Sequence, residues 1–492
     1  MNLSNQLVIN SKQMNNKKCL INDDESVTYQ DLYGKVAGFS KYLKSLGLKK
    51  GDKILVLVPM SIDLYITLLS VWAIGATACF MDAGFIKSGM KNNDFADISA
   101  VIGITKFILY SNINSNLKKL KFKINVNKIS SGDILEIEDL DENFPAIMTY
   151  TSGSTGKPKV AARSHKFLYN QGQILEKYLN YDDGDIELST IPIFTLSNIN
   201  IGITTVIANA KFTNLGDSNP KKIVSQIKEK NINRLMASPG LLSIIMNYLI
   251  ENNITLDNVK KVFTGGGAVF FDFIQKVKLA CPNAKITTIY GSTEAEPIAE
   301  LDVSSITESE IQRTKDGYGI FAGKIIGVDD LKLIKPGLGE IGEISEEDFS
   351  KLMEKMGEIV VSGCNVLEGY VGGFGDKENK FKVNGKVYHR TGDLGMLDEN
   401  GNLWLRGRIK EPFFDIEAAL HASLNIGKTA VLENDGKIIL VLENKDGVSK
   451  EDIKKIIKFK TIDEIKYVKK IPVDKRHSTK VDYKSLKEIL GI

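Results

Sequence analysis

Residues Pro145–Lys159 read PAIMTYTSGSTGKPK. The apolar run PAIMTY has the composition of a buried strand. It leads straight into Tyr150–Lys159, which holds two glycines, five hydroxyl side chains and two lysines. Gly153 and Gly156 let the backbone turn tightly and come close to a ligand. The hydroxyls of Thr151, Ser152, Ser154 and Thr155 can donate to phosphate oxygens, and Lys157 and Lys159 bring positive charge against a polyphosphate. The pattern is not a strand–loop–helix P-loop. Pro158 follows the first lysine and forbids a helix running on through the pair. A flexible linker is the plain alternative, but linkers rarely follow an apolar strand in this order. The stretch therefore reads as a phosphate-binding loop closing one strand of an α/β sheet.

Outward from this loop, strand-like and helix-like runs alternate. KILVLVP is followed by the amphipathic DLYITLLSVWA, and the helix PKKIVSQIKEKN by the strand INRLMAS. KKVFTGG is followed by FFDFIQKVKLA. Such alternation predicts βαβ units and mostly parallel, layered sheets. Near residue 408 the character changes: TGDLGMLDENGNLWLRGR reads as hairpins, and a short Lys-rich segment follows. There AVLENDGKIILVLEN predicts a β-hairpin turning at Asn434-Asp435-Gly436, then the helix EDIKKIIKF and a basic tail. The expected architecture is α/β. A large N-terminal domain over 1–407, of stacked mostly parallel sheets with helices, joins a hinge at 408–410 and a small mobile α+β C-terminal lid over 411–492.

Composition removes several other classes. The 492 residues exceed one ordinary core. The formal net charge is +3, from 64 basic and 61 acidic residues, so no broad basic surface is available for nucleic acid. The run Lys118–Lys128 reads as a solvated edge. Cys19, Cys79, Cys281 and Cys364 are isolated, which argues against zinc or a disulfide framework. The apolar stretch Ile54–Met81 is broken by Pro59 and Asp63. It predicts a strand and then a helix over about Ile62–Ile74, ended at Gly75, rather than a membrane span. The polar N-terminus lacks a signal-peptide pattern, and a cytoplasmic protein is expected.

Further motifs follow in order. Tyr290–Glu294 reads YGSTE after the strand-like AKITTI; a tyrosine there can stack on a flat base, and Glu294 is a hard oxygen donor suited to Mg2+. Val387–Gly395 reads VYHRTGDLG, with Asp393 on a turn where a carboxylate could hold vicinal hydroxyls. With these in sequence, YTSGSTGKPK resembles the signature of the adenylate-forming superfamily, which includes acyl-CoA synthetases, peptide-synthetase adenylation domains and luciferases. The resemblance spans nearly the whole chain. It implies ATP and Mg2+ as cofactors, a small carboxylic acid as substrate, and a first step giving acyl-AMP and pyrophosphate. It further implies that Tyr290, Gly291 and Ser292 border AMP with Gly266, Gly267 and Ala268, that Thr293 contacts the α-phosphate, and that Glu294 holds Mg2+. Asp393 and Arg408 would reach ribose, and Lys410 falls at the domain hinge. Lys480, by spacing only one more lysine of a basic tail, would be the mobile catalytic lysine.

The nearest resemblance is to olefin-pathway β-lactone synthetases and fatty acyl-CoA ligase-like relatives. It rests on IPIFTLSNINIG at Ile191–Gly202, SPGLL at Ser238–Leu242, STEAEPIA at Ser292–Ala299 and PVDKRHSTK before the tail helix. Phe194 and Thr195 suggest an aliphatic acid, with or without a β-hydroxyl. One departure counts: after Arg408 the family carries a hairpin of a dozen or more residues that serves thioester formation, whereas here RIKEPFFDIEAAL reaches a helix quickly. CoA therefore stays open as a second substrate, beside β-lactone closure and transfer to a carrier protein. An inactive nucleotide-binding homologue is the alternative of another class, opposed by intact Lys480, Glu294 and Asp393. A kinase-like phosphotransferase lacks its motifs.

Overall fold

The apolar strand before the glycine-rich loop lies in a six-stranded sheet. This computed structural model describes residues 1–81, 97–114, 116–151, 159–443, 448–474 and 479–492. By internal contacts it forms two compact units, Met1–Ala208 with Leu367–Lys377, and Asn209–Val366 with Glu378–Ile492. In the first unit the sheet runs Phe122–Asn125, Ile98–Gly103, Lys53–Leu57, Thr77–Met81, Pro145–Thr151, Lys159–Ser164. The first five strands are parallel and the last returns antiparallel. The return agrees with Pro158: the chain leaves the loop as a strand, not as a helix.

The predicted helix after Pro59 spans Ile62–Ala73, with the Ser61 hydroxyl accepting from the Leu64 N–H at its start. Every residue except Asp63 is buried, so it is a central helix rather than an amphipathic surface one. Gly75, at φ +71°, turns the chain out of it. Trp72 is fully buried and its indole N–H donates to the Ala146 carbonyl at 2.8 Å. That bond ties the helix to the strand that delivers the loop.

In the second unit, Arg234–Ala237, Lys261–Gly265 and Lys285–Ser292 are parallel neighbours, as the βαβ pattern predicts. From Ala295–Asp302 onward the pairing is antiparallel, through Ile320–Ile325, Leu403–Arg408, Lys386–Leu397, Met356–Ser362 and Asp330–Ile334. The Gly- and Asp-rich run read as hairpins is the pair Lys386–Leu397 and Leu403–Arg408.

The end of the chain has its own sheet. Thr429–Asn434 and Lys437–Glu443 form the expected hairpin, with Asp435 at φ +50° and Gly436 at φ +75° between the paired Asn434 and Lys437. Two left-handed residues at the turn match the twist of the flanking strands. Glu464–Val468 adds a parallel third strand. One face packs on Ile416, Leu420 and Ile453 from helices Phe414–Ser423 and Lys450–Ile456, and the other on Leu486 from Tyr483–Leu490. The segment is seated on the rest of its unit by His421, whose ring stacks on Phe270 at 4.5 Å and pairs with Asp272 at 3.1 Å. Asp415 adds ion pairs to Arg406 at 3.2 Å and Lys460 at 3.4 Å. No helix among the described residues is long and apolar enough to cross a membrane.

Glu417 lies inside this segment, and burial pushes its carboxyl up to about 8, the Thr429 hydroxyl only partly opposing the shift. Between its ordinary 4.5 and about 8 the folded chain holds a proton that the unfolded chain has lost. Stability must therefore fall as pH rises through that window. Urea denaturation at a series of pH values is expected to show this decline, and Glu417→Gln, neutral throughout, is expected to flatten it.

Candidate active site

The site in the second unit is built from strand ends. Lys261–Gly265 finishes in Gly265-Gly266-Gly267. A side chain on Gly265 would collide with the Ile289 carbonyl of the neighbouring strand, and Gly266 turns at φ +77°. The strand Lys285–Ser292 carries Tyr290, Gly291 and Ser292. YGSTE is more than a strand end, however: Ser292 pairs with Ala295, so Thr293 and Glu294 form a two-residue hairpin loop. Thr293 is exposed and Glu294 half-buried, so both can be reached from outside.

Asp393 and Arg408 face each other across the ladder of Lys386–Leu397 and Leu403–Arg408. Arg408 Nη1 lies 3.0 Å from Asp393 Oδ1, and the same nitrogen donates to the Thr391 carbonyl at 3.0 Å. The Tyr290 hydroxyl donates to the other carboxylate oxygen, Oδ2, at 2.8 Å. Two motifs far apart in sequence thus meet on one carboxylate. Burial raises the Asp393 carboxyl, while the charges of Arg408 and Lys480 and the Tyr290 bond pull it back. Burial, then the adjacent carboxylate, raises the Tyr290 hydroxyl well above its ordinary value. Oδ2 accepts the Tyr290 bond and Oδ1 is ion-paired with Arg408, and a carboxylate oxygen with two lone pairs keeps acceptor capacity beyond one such contact.

Lys480 comes near this cluster from the C-terminal segment, close enough for its charge to act on Asp393. Its side chain is exposed. Its backbone is fixed: Lys480 N–H donates to Asp474 Oδ1 at 3.0 Å, and Asp474 N–H to the Lys480 carbonyl at 2.8 Å. Val473 and Val481 bridge just outside this pair, and Asp482 caps the final helix.

In the first unit, Thr151 pairs with Lys159 across the hairpin that flanks the loop. Ser152, Gly153, Ser154, Thr155, Gly156 and Lys157 lie outside the described residues, as does the Thr151 side chain. Lys159 Nζ sits over the Tyr370 ring at 5.6 Å from its centroid, and its stem passes where a Gly375 side chain would be. Phe194 and Thr195 are buried in the helix Pro192–Ile201, Thr195 beside Tyr65.

After Arg408 the chain reaches the helix Phe414–Ser423 through residues 409–413 alone. Arg408 and Glu411 exchange two backbone hydrogen bonds at 3.0 Å, which leaves Ile409 and Lys410 as a tight turn. The Ile409 N–H adds a bond to the Gly392 carbonyl, also at 3.0 Å. The sequence reading missed the Tyr290–Asp393 bond and the roles of Tyr370 and Asp474. A tyrosine following glycine and an aspartate six residues before the lysine were the only signals, and neither is distinctive.

A family model described as AMP-binding enzyme matches residues 8–371. The chain is similar to an olefin beta-lactone synthetase of Xanthomonas campestris pv. campestris, 24% identical over 407 residues, 78% of this chain and 72% of that protein. It is also similar to a 4-coumarate–CoA ligase of Vanilla planifolia, 24% identical over 531 residues, covering 98% and 92%. Among solved structures it resembles the O-succinylbenzoate coenzyme A synthetase of Bacillus subtilis in complex with ATP and magnesium ion. That match has a TM-score of 0.76 at 19% identity and covers 98% of this chain and 99% of the other. ATP-bound MatB from Rhodopseudomonas palustris matches with a TM-score of 0.77 at 17% identity, covering 99% of each chain. At these identities the structural likeness establishes the fold.

Proposed function

The chain belongs to the AMP-binding enzyme family and is an adenylate-forming enzyme that activates a carboxylate; we propose that its acid is an aliphatic β-hydroxy acid, whose adenylate closes to a β-lactone. The observation that carries the first step is the Asp393 carboxylate, held by Tyr290 and Arg408 with Lys480 nearby. Its remaining acceptor capacity suits the vicinal hydroxyls of the ribose of ATP. Tyr290, oriented by its own hydroxyl, offers a ring face to adenine, and Gly266, Gly267, Ala268, Gly291 and Ser292 line that face. Thr293 meets the α-phosphate. Thr151, Ser152, Gly153, Ser154, Thr155, Gly156, Lys157 and Lys159, in the first unit, keep the phosphate-binding role that the resemblance implies.

Glu294 fits a divalent cation. Mg2+ is ordinarily held by one or two carboxylates together with substrate phosphates, not by a protein cage, and Glu294 stands on the exposed loop beside Thr293. When bound, Mg2+ offsets charge on the phosphates.

In the first step a carboxylate oxygen attacks the α-phosphorus, the bond to the bridging oxygen breaks, and pyrophosphate leaves. Both reactants are anionic, and Lys480 supplies a cation where they approach. In the second step the β-hydroxyl oxygen attacks the acyl carbon. The acyl–phosphate bond breaks, AMP leaves, and the hydroxyl proton passes to solvent. No further substrate has to be bound, because the nucleophile is tethered. Support for this second step comes from the short connection after Arg408 and from the similarity to olefin beta-lactone synthetases. The small C-terminal segment, 411–492, acts as a lid with Lys410 at its hinge, opening only far enough to let pyrophosphate leave. The likeness to CoA ligases over nearly the whole chain favours thioester formation as the second reading.

Pyrophosphate exchange into ATP with a panel of saturated and 3-hydroxy fatty acids tests the first step. Exchange with at least one acid is expected, and none across the panel defeats the reading. Lys480→Ala is expected to cut exchange by roughly 100-fold or more while ATP binding, followed by calorimetry, persists; unchanged exchange would remove Lys480 from the mechanism. For the second step, mass spectrometry is expected to find a lactone and stoichiometric AMP from a 3-hydroxy acid without any CoA. AMP release that depends on CoA would establish the ligase instead, and release that depends on an acyl carrier protein would establish transfer to a carrier.

A further inference from the structure

Of the three glycines that end the strand Lys261–Gly265, the last has a distant reason to lack a side chain. A Cβ on Gly267 would lie 2.9 Å from Thr479 Oγ1, 3.1 Å from its Cβ and 3.4 Å from its Cγ2. The whole Thr479 side chain therefore fills the space an alanine would take. Gly267 itself does not adopt a left-handed conformation, so its own backbone would accept alanine, and the obstacle is Thr479. The contact is one of shape: Thr479 Oγ1 is shielded from solvent and has no hydrogen-bond partner among the described residues. A shielded hydroxyl without a partner costs free energy, so hydrogen bonding does not explain the fit.

Thr479 immediately precedes Lys480. The backbone of Lys480 is already anchored within its own segment by Asp474. The seat of Thr479 on Gly267 is then a direct stop between the lysine-bearing loop and the glycine turn of the site. The geometry points to Thr479 as a positioning residue that, by seating on Gly267, sets how far Lys480 enters the site. The inference rests on Lys480 as the catalytic cation. An error near 1 Å in such a placement can cost on the order of 100-fold in rate.

The test is a size exchange in the full-length enzyme, read by pyrophosphate exchange with an acid the wild type accepts and by ATP binding. Gly267→Ala is expected to lower kcat for exchange roughly 10- to 100-fold, by more than any change in ATP affinity. Thr479→Gly loses the stop and lowers kcat as well. The double variant is expected to recover most of the Gly267→Ala loss, because the methyl group then occupies the vacated space. Thr479→Val, which keeps the shape and drops the hydroxyl, is expected to restore the rate that Thr479→Gly loses. Additive losses in the double variant would overturn the proposal, since they would mean that alanine blocks the nucleotide directly. A second readout needs no turnover. With Cys364 changed to Ser, Gly267→Cys with Thr479→Cys is expected to form a disulfide under mild oxidation, since the Cβ positions, 3.1 Å apart, need only a small outward shift to reach bridging distance; failure to cross-link would also overturn it. Absence of exchange in the wild type would count against the adenylation reading alone, leaving the cross-link to judge the contact.

Discussion

A carboxylate taken largely out of water must be given partners, and the second unit is arranged around that demand at Asp393. One oxygen takes the Arg408 guanidinium from the facing strand, and the other takes the Tyr290 hydroxyl from a separate hairpin. Losing either would leave a buried charge with too little compensation. The two hairpins are therefore held in one register by the same group that presents acceptor sites to a ligand. Arg408 is also the last residue of its strand, and its backbone closes the turn with Glu411 that starts the C-terminal segment. Binding geometry and the departure point of the lysine-bearing segment are thus fixed by one residue.

From that turn the segment is seated by contacts of different kinds. His421 stacks on Phe270 and pairs with Asp272, and Asp415 pairs with Arg406. These are polar or aromatic contacts on a body whose apolar cores face inward to its own three-stranded sheet.

Local features were legible in the sequence, and pairings across long separations were not. Asn434-Asp435-Gly436 turns a hairpin because left-handed residues cost little there, a property of the dipeptide itself. The helix Ile62–Ala73 follows from Ser61, the apolar run and Gly75. Pro158 excluded a helix after the loop, and the chain returns as a strand. YGSTE was read as a strand end: Tyr290, Gly291 and Ser292 do end the strand, and Thr293 and Glu294 then make a hairpin loop that the sequence did not announce. The strand that follows it, Ala295–Asp302, carries Pro297 and acidic residues that weaken its pattern. Tyr290 with Asp393, and Gly267 with Thr479, are contacts that no periodicity announces. Lys480 itself is indistinct in a basic tail; only motif order singled it out, and its nearness to Asp393 and the contact of Thr479 with Gly267 tie it to the site in physical terms.

The turn after Arg408 bears on the second half of the reaction. A lid that swings far to admit another substrate has to rotate its backbone at this point. Here two bonds between Arg408 and Glu411, and one from Ile409 to Gly392, hold the turn, and each is worth about 0.5–1.5 kcal/mol net. Gly407, at φ +129°, has the Glu411 carbonyl packed where its side chain would be, so the turn is also held by shape. A large rotation would have to break these contacts together, with no hairpin in residues 409–413 to bring new ones to the site. A reaction whose nucleophile already sits on the acyl chain needs no second binding pose. It can proceed where the adenylate was made, with only enough opening to let pyrophosphate leave. In the proposed lactone closure, the short, bonded turn and the tethered hydroxyl remove the same requirement, one from the protein side and one from the substrate side.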